Sequence, residues 1–437
     1  MPLKNIIRRR CLLGNLLVLS IFLALIGFAS PSFAAEHFSG PVTEQIRATL
    51  ISDTRVESST RIDRLSILSD PNEREFLKAI YSSAGYQALW QDSAEARRLI
   101  SLIKKAPADG LDASDYHLAK LQELAAISRP TPADSATLDI LLTDAFARFA
   151  YHLRFGKANP YELDPKWNFS RELITDNPIA WLKQAIDTKQ VEVALSWLRP
   201  RIPSYRALAE SLAYFETVSK TRPWGRIRPG ETLKPGMTDS RISELRKRLI
   251  VSGYIDHDSK TENDYFDDAL EMSVRRFQRD HGLDVDGAVG KQTILEMNVP
   301  VADRINQLRV NLERIRWLFR DIGKDFVLVN IAAFQAMYVA DGRLAWEAKA
   351  IVGQTYRQTP SFKATMTHLI FNPTWTVPPT ILKNDVLPAV KKDQAYLGEK
   401  NIRVLDHIGN EINPNIIDWS NIHANNFPYV LRQESVV

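Results

Sequence analysis

Cysteine is all but missing from this chain: 437 residues contain one, Cys11. Beyond residue 11 there is no disulfide framework, no cysteine zinc site and no thiol nucleophile. A one-sided charge is missing too. Of 56 lysines and arginines, four (Lys4, Arg8, Arg9, Arg10) fall in the first 34 residues, which hold no acid, so the remainder carries 52 against 52 acidic residues. The basic pI belongs to that leader, and no basic field remains to favour nucleic acid as a partner. Long apolar runs are also absent, with one exception from Cys11 to Ala29.

That run follows Arg8-Arg9-Arg10 and leads to Ser32-Phe33-Ala34, small residues at both positions read by signal peptidase. Residues 1–34 are expected to be a signal peptide cleaved before Ala35, which implies export to the periplasm. The competing reading is an uncleaved inner-membrane anchor facing the periplasm, since a run of about 20 residues just spans a bilayer. Gly14, Asn15 and Ser20 weaken that reading. Any membrane contact is confined to this segment.

Residues 41–224 read as all-helical. Phe76, Leu77, Ile80 and Tyr81 form one stripe that stops at Gly85. Asp92 to Glu95 has capping-box spacing ahead of Leu99 and Ile103, and Ser114 is placed to cap a helix carrying Leu118 and Leu121. Leu138, Leu142, Ala145, Phe149 and Leu153 predict a long helix over 133–155, closed by Gly156. Helices over 178–186, 191–198 and 205–218 complete the set. Trp90, Trp167, Trp181 and Trp197 are expected to pack between helices. His117 and His152 lack ligand spacing, so core or surface roles are expected and no metal or cofactor is called for.

Three prolines and three glycines over 222–237 predict a linker at 225–237. A compact unit over 238–298 follows, with one helical face at Ile242, Leu245 and Leu249 and another at Phe266, Leu270, Val274 and Phe277. Gln278, His281, Asp286-Gly287, Gly290 and Thr293 come after in order. Ile305, Leu308, Leu312, Ile315 and Phe319 predict a connector helix over 301–323. Its arginines at 304, 309, 314, 316 and 320 interleave with Asp303, Glu313 and Asp321, the pattern of a solvated face with local ion pairs.

From residue 325 the chain turns to strands. Phe326 to Ile331 and Met337 to Ala340 are β-branched and aromatic, Asp341-Gly342 suits a tight hairpin turn, and Ala345 to Val352 returns as the partner. Thr359-Pro360-Ser361-Phe362 and Phe371-Asn372-Pro373-Thr374-Trp375-Thr376-Val377-Pro378-Pro379 follow, then a helix-like stretch over 380–390.

These segments together resemble the periplasmic L,D-transpeptidases of the large subgroup with a helical scaffold domain, a peptidoglycan-binding module and a YkuD-type catalytic domain. Tyr86 to Trp90, Asp109 to Asp112, Asp115 to His117 and Leu153 to Gly156 carry the likeness in the scaffold. The ordered run from Leu245 to Thr293 carries it in the module, Asn311 to Trp317 in the connector and 325–379 in the catalytic domain. The resemblance implies a multidomain α + β protein: an all-α scaffold, a three-helix module and a mostly-β catalytic domain, incomplete over 325–437. It implies peptidoglycan as partner, with Gln278, His281 and Asp286 as candidate binding residues.

The activity it implies is acyl transfer from a tetrapeptide stem through a cysteine thiolate, helped by a histidine. Neither catalytic segment has a counterpart here. His368, His407 and His423 match no catalytic position, and no Gly-x-Ser-x-Gly elbow offers a serine instead. The departure at Glu434 to Val437 suits a shifted reading frame, so truncation is expected, leaving a non-catalytic peptidoglycan-binding protein or a nonfunctional remnant. Open strand edges over 325–437 are the expected result, unless Trp419, Phe427 and Tyr429 fold back to cover them.

Overall fold

The computed structural model describes residues 40–51, 71–163, 177–256, 263–319 and 322–435. The leader, Trp167, Arg320 and Asp321 lie outside them. The chain divides into two compact units, Met1–Lys363 and Ala364–Val437.

The first unit begins with helices α1 (Pro41–Ile51), α2 (Pro71–Ser83), α3 (Ser93–Lys104), α4 (Leu118–Ala125), α5 (Pro132–Phe155), α6 (Pro178–Asp187) and α7 (Val191–Leu198). α5 is the hub, because it is buried over most of its circumference: Ile140, Leu141, Leu142, Ala145, Phe146, Phe149 and Leu153 are all in the core. Thr131 and Asp134 close a reciprocal capping box at its start. Its polar side chains are not exposed but bonded. Asp139, 4% exposed, accepts from the Tyr81 hydroxyl at 2.6 Å and from the amides of Leu89 and Trp90 at 3.0 and 2.9 Å. Thr143 takes the Trp90 indole N–H at 2.9 Å. The Tyr86 to Trp90 stretch is therefore stitched to α5, which gives that short motif a physical reason. Two histidines have core roles. His117 Nε2 lies 2.8 Å from Asp144. His152 Nδ1 lies 2.9 Å from the Tyr116 hydroxyl, and burial lowers its pKa to about 4, so it accepts as a neutral ring.

Some local expectations need correction. Ser114 does not cap the helix carrying Leu118 and Leu121: that helix is entered through His117 with no side-chain cap, and Asp112 caps the turn Ala113–Tyr116 before it, accepting from the Ser114 amide and hydroxyl. Trp90 is buried and Trp181 packs on the core, yet Trp197 is 64% exposed beneath the Arg201 guanidinium. The sequence pattern also omitted α1, whose Ile46 and Leu50 are fully buried.

Two long helices then run antiparallel, α8 (Pro203–Thr221) and α12 (Val301–Leu318), sharing a buried cluster of Tyr205, Leu212, Leu312 and Ile315. The direction follows from the Tyr205–Arg316 bond at one end and the Glu216–Arg309 ion pair farther along. α12 ends at Leu318 rather than Gly323. Arg309 and Arg314 are exposed as expected, but Arg316 is not part of a solvated face. The Arg316 side chain is wholly buried, donating to the Asp109 carbonyl, to Tyr205 Oη at 3.0 Å and to Glu313 at 2.7 Å. Asp109 also holds Arg199 at 2.8 Å and accepts from Tyr205 at 2.9 Å. Glu313 accepts from the Ala158 amide at 2.8 Å. The helix comes so close here that a Cβ on Gly156 would lie 2.4 Å from both Glu313 and Trp317. Gly156, at φ 81°, is needed for that approach as well as for ending α5.

In chain order, between these two helices, comes the unit built from α9 (Arg241–Val251), α10 (Asp268–Asp280) and α11 (Lys291–Met297). Its core is Leu233, Ile242, Leu245, Leu249, Phe266, Leu270, Val274, Phe277, Val289 and Met297, with Ile227. Residues 225–237 are thus not a free linker. Proline and glycine make the backbone irregular, but Ile227 and Leu233 anchor it in the core, and Leu233 pairs with Val289.

After α12 comes a three-stranded antiparallel sheet in the order β1 (Phe326–Asn330), β2 (Gln335–Ala340), β3 (Arg343–Lys349). Asp341 and Gly342 take φ of 50° and 73°, as a type I′ hairpin requires. Val327, Tyr338 and Trp346 are direct register partners and stand 51%, 40% and 55% exposed, so one face of this sheet carries an open apolar row.

The second unit has its own sheet, in the order β4 (Trp375–Thr376), β7 (Val430–Gln433), β5 (Ile402–Leu405), β6 (Glu411–Ile412). Its core of Val377, Leu382, Val386, Leu387, Val390, Val404, Ile417, Trp419 and Leu431 takes in Phe427 and Tyr429 at its margin. Those aromatics fill this unit's own interior. The helical stretch expected over 380–390 is present, with an i→i+5 bond from the Leu387 amide to Leu382 just before Pro388.

Candidate functional site

Of the three residues singled out in the module, Gln278 and Asp286 meet where α10 ends and the loop to α11 begins, while His281, three residues on from Gln278, packs against Phe277 and Tyr254. Gln278 is the inner member, 1% exposed. Its amide nitrogen donates to Asp286 and to the Ala288 carbonyl at 2.8 Å each, and its oxygen accepts from the Gly287 amide at 2.9 Å. Every strong position on the side chain is used inside the module, so Gln278 shapes the loop and does not itself present a free polar atom. Gly287 takes φ 77°, and a Cβ there would lie 2.9 Å from Arg275 and Glu271.

Asp286 is exposed and turns the loop by accepting from the Ala288 amide at 2.9 Å. These bonds hold its carboxyl below the usual range, the Ala288 amide first and Gln278 next. His281 is half-buried, stacked on Phe277 at a ring separation of 3.9 Å. Its Nδ1 lies 2.8 Å from the Phe277 carbonyl, so that nitrogen carries the proton and Nε2 remains the acceptor. Burial lowers its pKa, which keeps the ring neutral. Tyr254 lies 6.1 Å from His281, and Arg276 stands over the Tyr254 ring. Sequence reasoning missed Tyr254 as a neighbour of His281, because it follows a different helix. Its signal was the Gly253-Tyr254 stop after α9.

The loop yields a sharp expectation. Gln278→Leu keeps the volume but strands the Gly287 amide and the Ala288 carbonyl, costing about 3 kcal/mol. The unfolding transition of the module should shift accordingly in denaturant titration. An unchanged midpoint would contradict the loop-shaping role.

The segment from residue 325 supplies little acid–base chemistry. His368, His407 and His423 are exposed, and His368 Nδ1 lies 2.9 Å from its neighbour Thr367. Among the described residues no cluster of His, Cys, Asp and Glu could hold a metal ion, and no helix is long and apolar enough to cross a membrane.

Three parts of the chain match models of known families. Residues 75–212 match the model of a "Scaffold domain", residues 238–297 that of a "Putative peptidoglycan binding domain", and residues 324–432 that of the "L,D-transpeptidase catalytic domain". The chain is also 36% identical over 151 residues to a Haemophilus influenzae protein named "Putative L,D-transpeptidase". That match covers 33% of this chain and 30% of the relative's length.

Proposed function

We propose that this chain, which carries the three-domain architecture of the L,D-transpeptidase family from residue 75 to residue 432, binds peptidoglycan without itself performing acyl transfer. The observation that carries this reading is the contrast between its parts. The module has a full core and shaped surroundings at His281 and at Asp286, whereas the 437 residues hold no thiol but Cys11 in the leader. Thiolate chemistry needs a cysteine beside a base, and the catalytic-domain match over 324–432 contains no cysteine.

Peptidoglycan is a polymer of sugars and short peptides, rich in amide and hydroxyl groups and in carboxylates. The exposed Asp286 on the loop, and the acceptor nitrogen of His281 with Arg276 around Tyr254, offer acceptors and a cation to such a polymer. We assign the contacts to these residues, with Gln278 holding the loop. Export is part of the same reading: cleavage of the leader before Ala35 would deliver the chain to the periplasm, where the polymer is.

One experiment tests both parts. The chain recovered from a periplasmic extract should begin at Ala35 and sediment with purified sacculi, and Asp286→Ala with His281→Ala should reduce the pelleted fraction severalfold. A folded chain that stays in the supernatant across salt concentrations would sink the binding claim. Material still starting at Met1 would sink the cleavage claim.

A further inference from the structure

The module enters from α8 and leaves into α12, and both crossings are tied. Asn298, on the way out, accepts from the Ile227 amide and donates to the Ile227 carbonyl, each at 2.8 Å, so the entering and leaving chains are bonded to each other. Trp224 donates its indole N–H to the Val299 carbonyl at 2.8 Å and packs edge-on against Phe215 of α8. Arg248, 2% exposed, lies 3.5 Å from the Trp224 ring and donates to the Met297 carbonyl at 2.6 Å. Arg304, one turn into α12, holds Glu296 of α11 at 2.7 Å, and the Tyr214 hydroxyl of α8 reaches the Val251 carbonyl at 3.0 Å. The joint is a closed ring of contacts rather than a pair of hinges.

The other end of the same two helices is rooted in the scaffold by the Arg316, Asp109, Tyr205 and Glu313 network. From that end Phe319 contacts Phe326, the first residue of β1. The module and the three-stranded sheet therefore sit at opposite ends of the antiparallel pair. At 1.5 Å per residue, α12 alone spans roughly 27 Å.

We infer that α8 and α12 form a rigid strut, fixed at both ends, that holds the wall-binding module at one set distance from the start of the catalytic-domain fold. Peptidoglycan captured by the module is then presented at a fixed offset instead of on a swinging tether. The offset's significance rests on the proposed wall binding; the rigidity of the strut does not.

Because the natural chain has one cysteine, two spin labels can be placed cleanly after Cys11→Ser. Met272→Cys on the module and Leu344→Cys on the three-stranded sheet are 63% and 51% exposed in the native chain. The expected result is a single narrow distance distribution in the full chain, unchanged on sacculi. A broad or multimodal distribution in the free chain overturns the strut, as does a shift on sacculi. In a second arm, Val310→Pro, at an exposed position in mid-α12, should kink the helix and broaden the distribution while sacculus binding persists. A distribution still narrow in that variant would show that something other than α12 holds the module. Pelleting is read separately, so loss of wall binding with a narrow distance would leave the strut standing.

Discussion

Incubated with tetrapeptide muropeptides, a polypeptide of this sequence is expected to yield no crosslinked product above a no-enzyme control. Forming a thioacyl intermediate requires a thiolate to attack the stem carbonyl and expel the terminal amino acid. The sole sulfhydryl is Cys11, which precedes the expected cleavage point. Water and the remaining side chains do not replace it: removing the nucleophile from other acyl-transfer enzymes costs on the order of 10⁶ in turnover. His368, His407 and His423 could act as bases, but they are exposed and have no thiol to activate. Two readouts decide the matter. Chromatography of the muropeptides should show no crosslinked dimer, and intact-mass measurement with an acyl donor should show no covalent adduct. Either product or adduct would refute the non-catalytic reading.

Replacing Arg316 by Ala is expected to cost about 3–5 kcal/mol, the usual result of removing one member of a buried charge network. The guanidinium is wholly buried, pairs with Glu313 of its own helix and joins it to two partners far away in sequence, Asp109 and Tyr205. Without it, Glu313 and the Asp109 carbonyl lose a donor away from water, although Ala158 and Arg199 still serve the two carboxylates. Arg316→Lys should recover only part of the loss, since an ammonium cannot reproduce the planar fork. Denaturant titration should show the helical scaffold and strut losing stability together. The module, with a core of its own, should keep its transition. A midpoint unmoved in Arg316→Ala would mean the network contributes nothing net, and equal loss in the module would mean the two are not separable.

Much of the fold was legible from periodicity and capping. α5 was readable because leucines and phenylalanines recur at three and four residues and a glycine follows. The 341–342 turn was readable because Asp-Gly is suited to two successive positive φ values. The core residues of the module were readable for the same reason as α5. Its candidate site was legible only in part. Gln278, His281 and Asp286 stand close in sequence, and Gln278 does meet Asp286, but burial sorts them into a buried loop-holding residue, a half-buried ring on Phe277 and an exposed carboxylate.

What the sequence by itself determined is local: where the backbone must turn, which stripes are apolar, and that chemistry needing a thiol lacks one beyond residue 11. The tertiary structure decided what depends on distant partners. Arg316 reads as a solvated charge in its own helix, and only Asp109 and Tyr205, brought in from elsewhere, make it a buried one. Residues 225–237 read as a linker because proline and glycine forbid regular structure, while nothing local reveals that Ile227 and Leu233 find a core. Trp197 sits at a helical position like its buried counterparts, and no neighbouring helix covers its face among the described residues. In each case the deciding energy is burial against residues far along the chain, and local pattern carries no record of which distant surface will arrive.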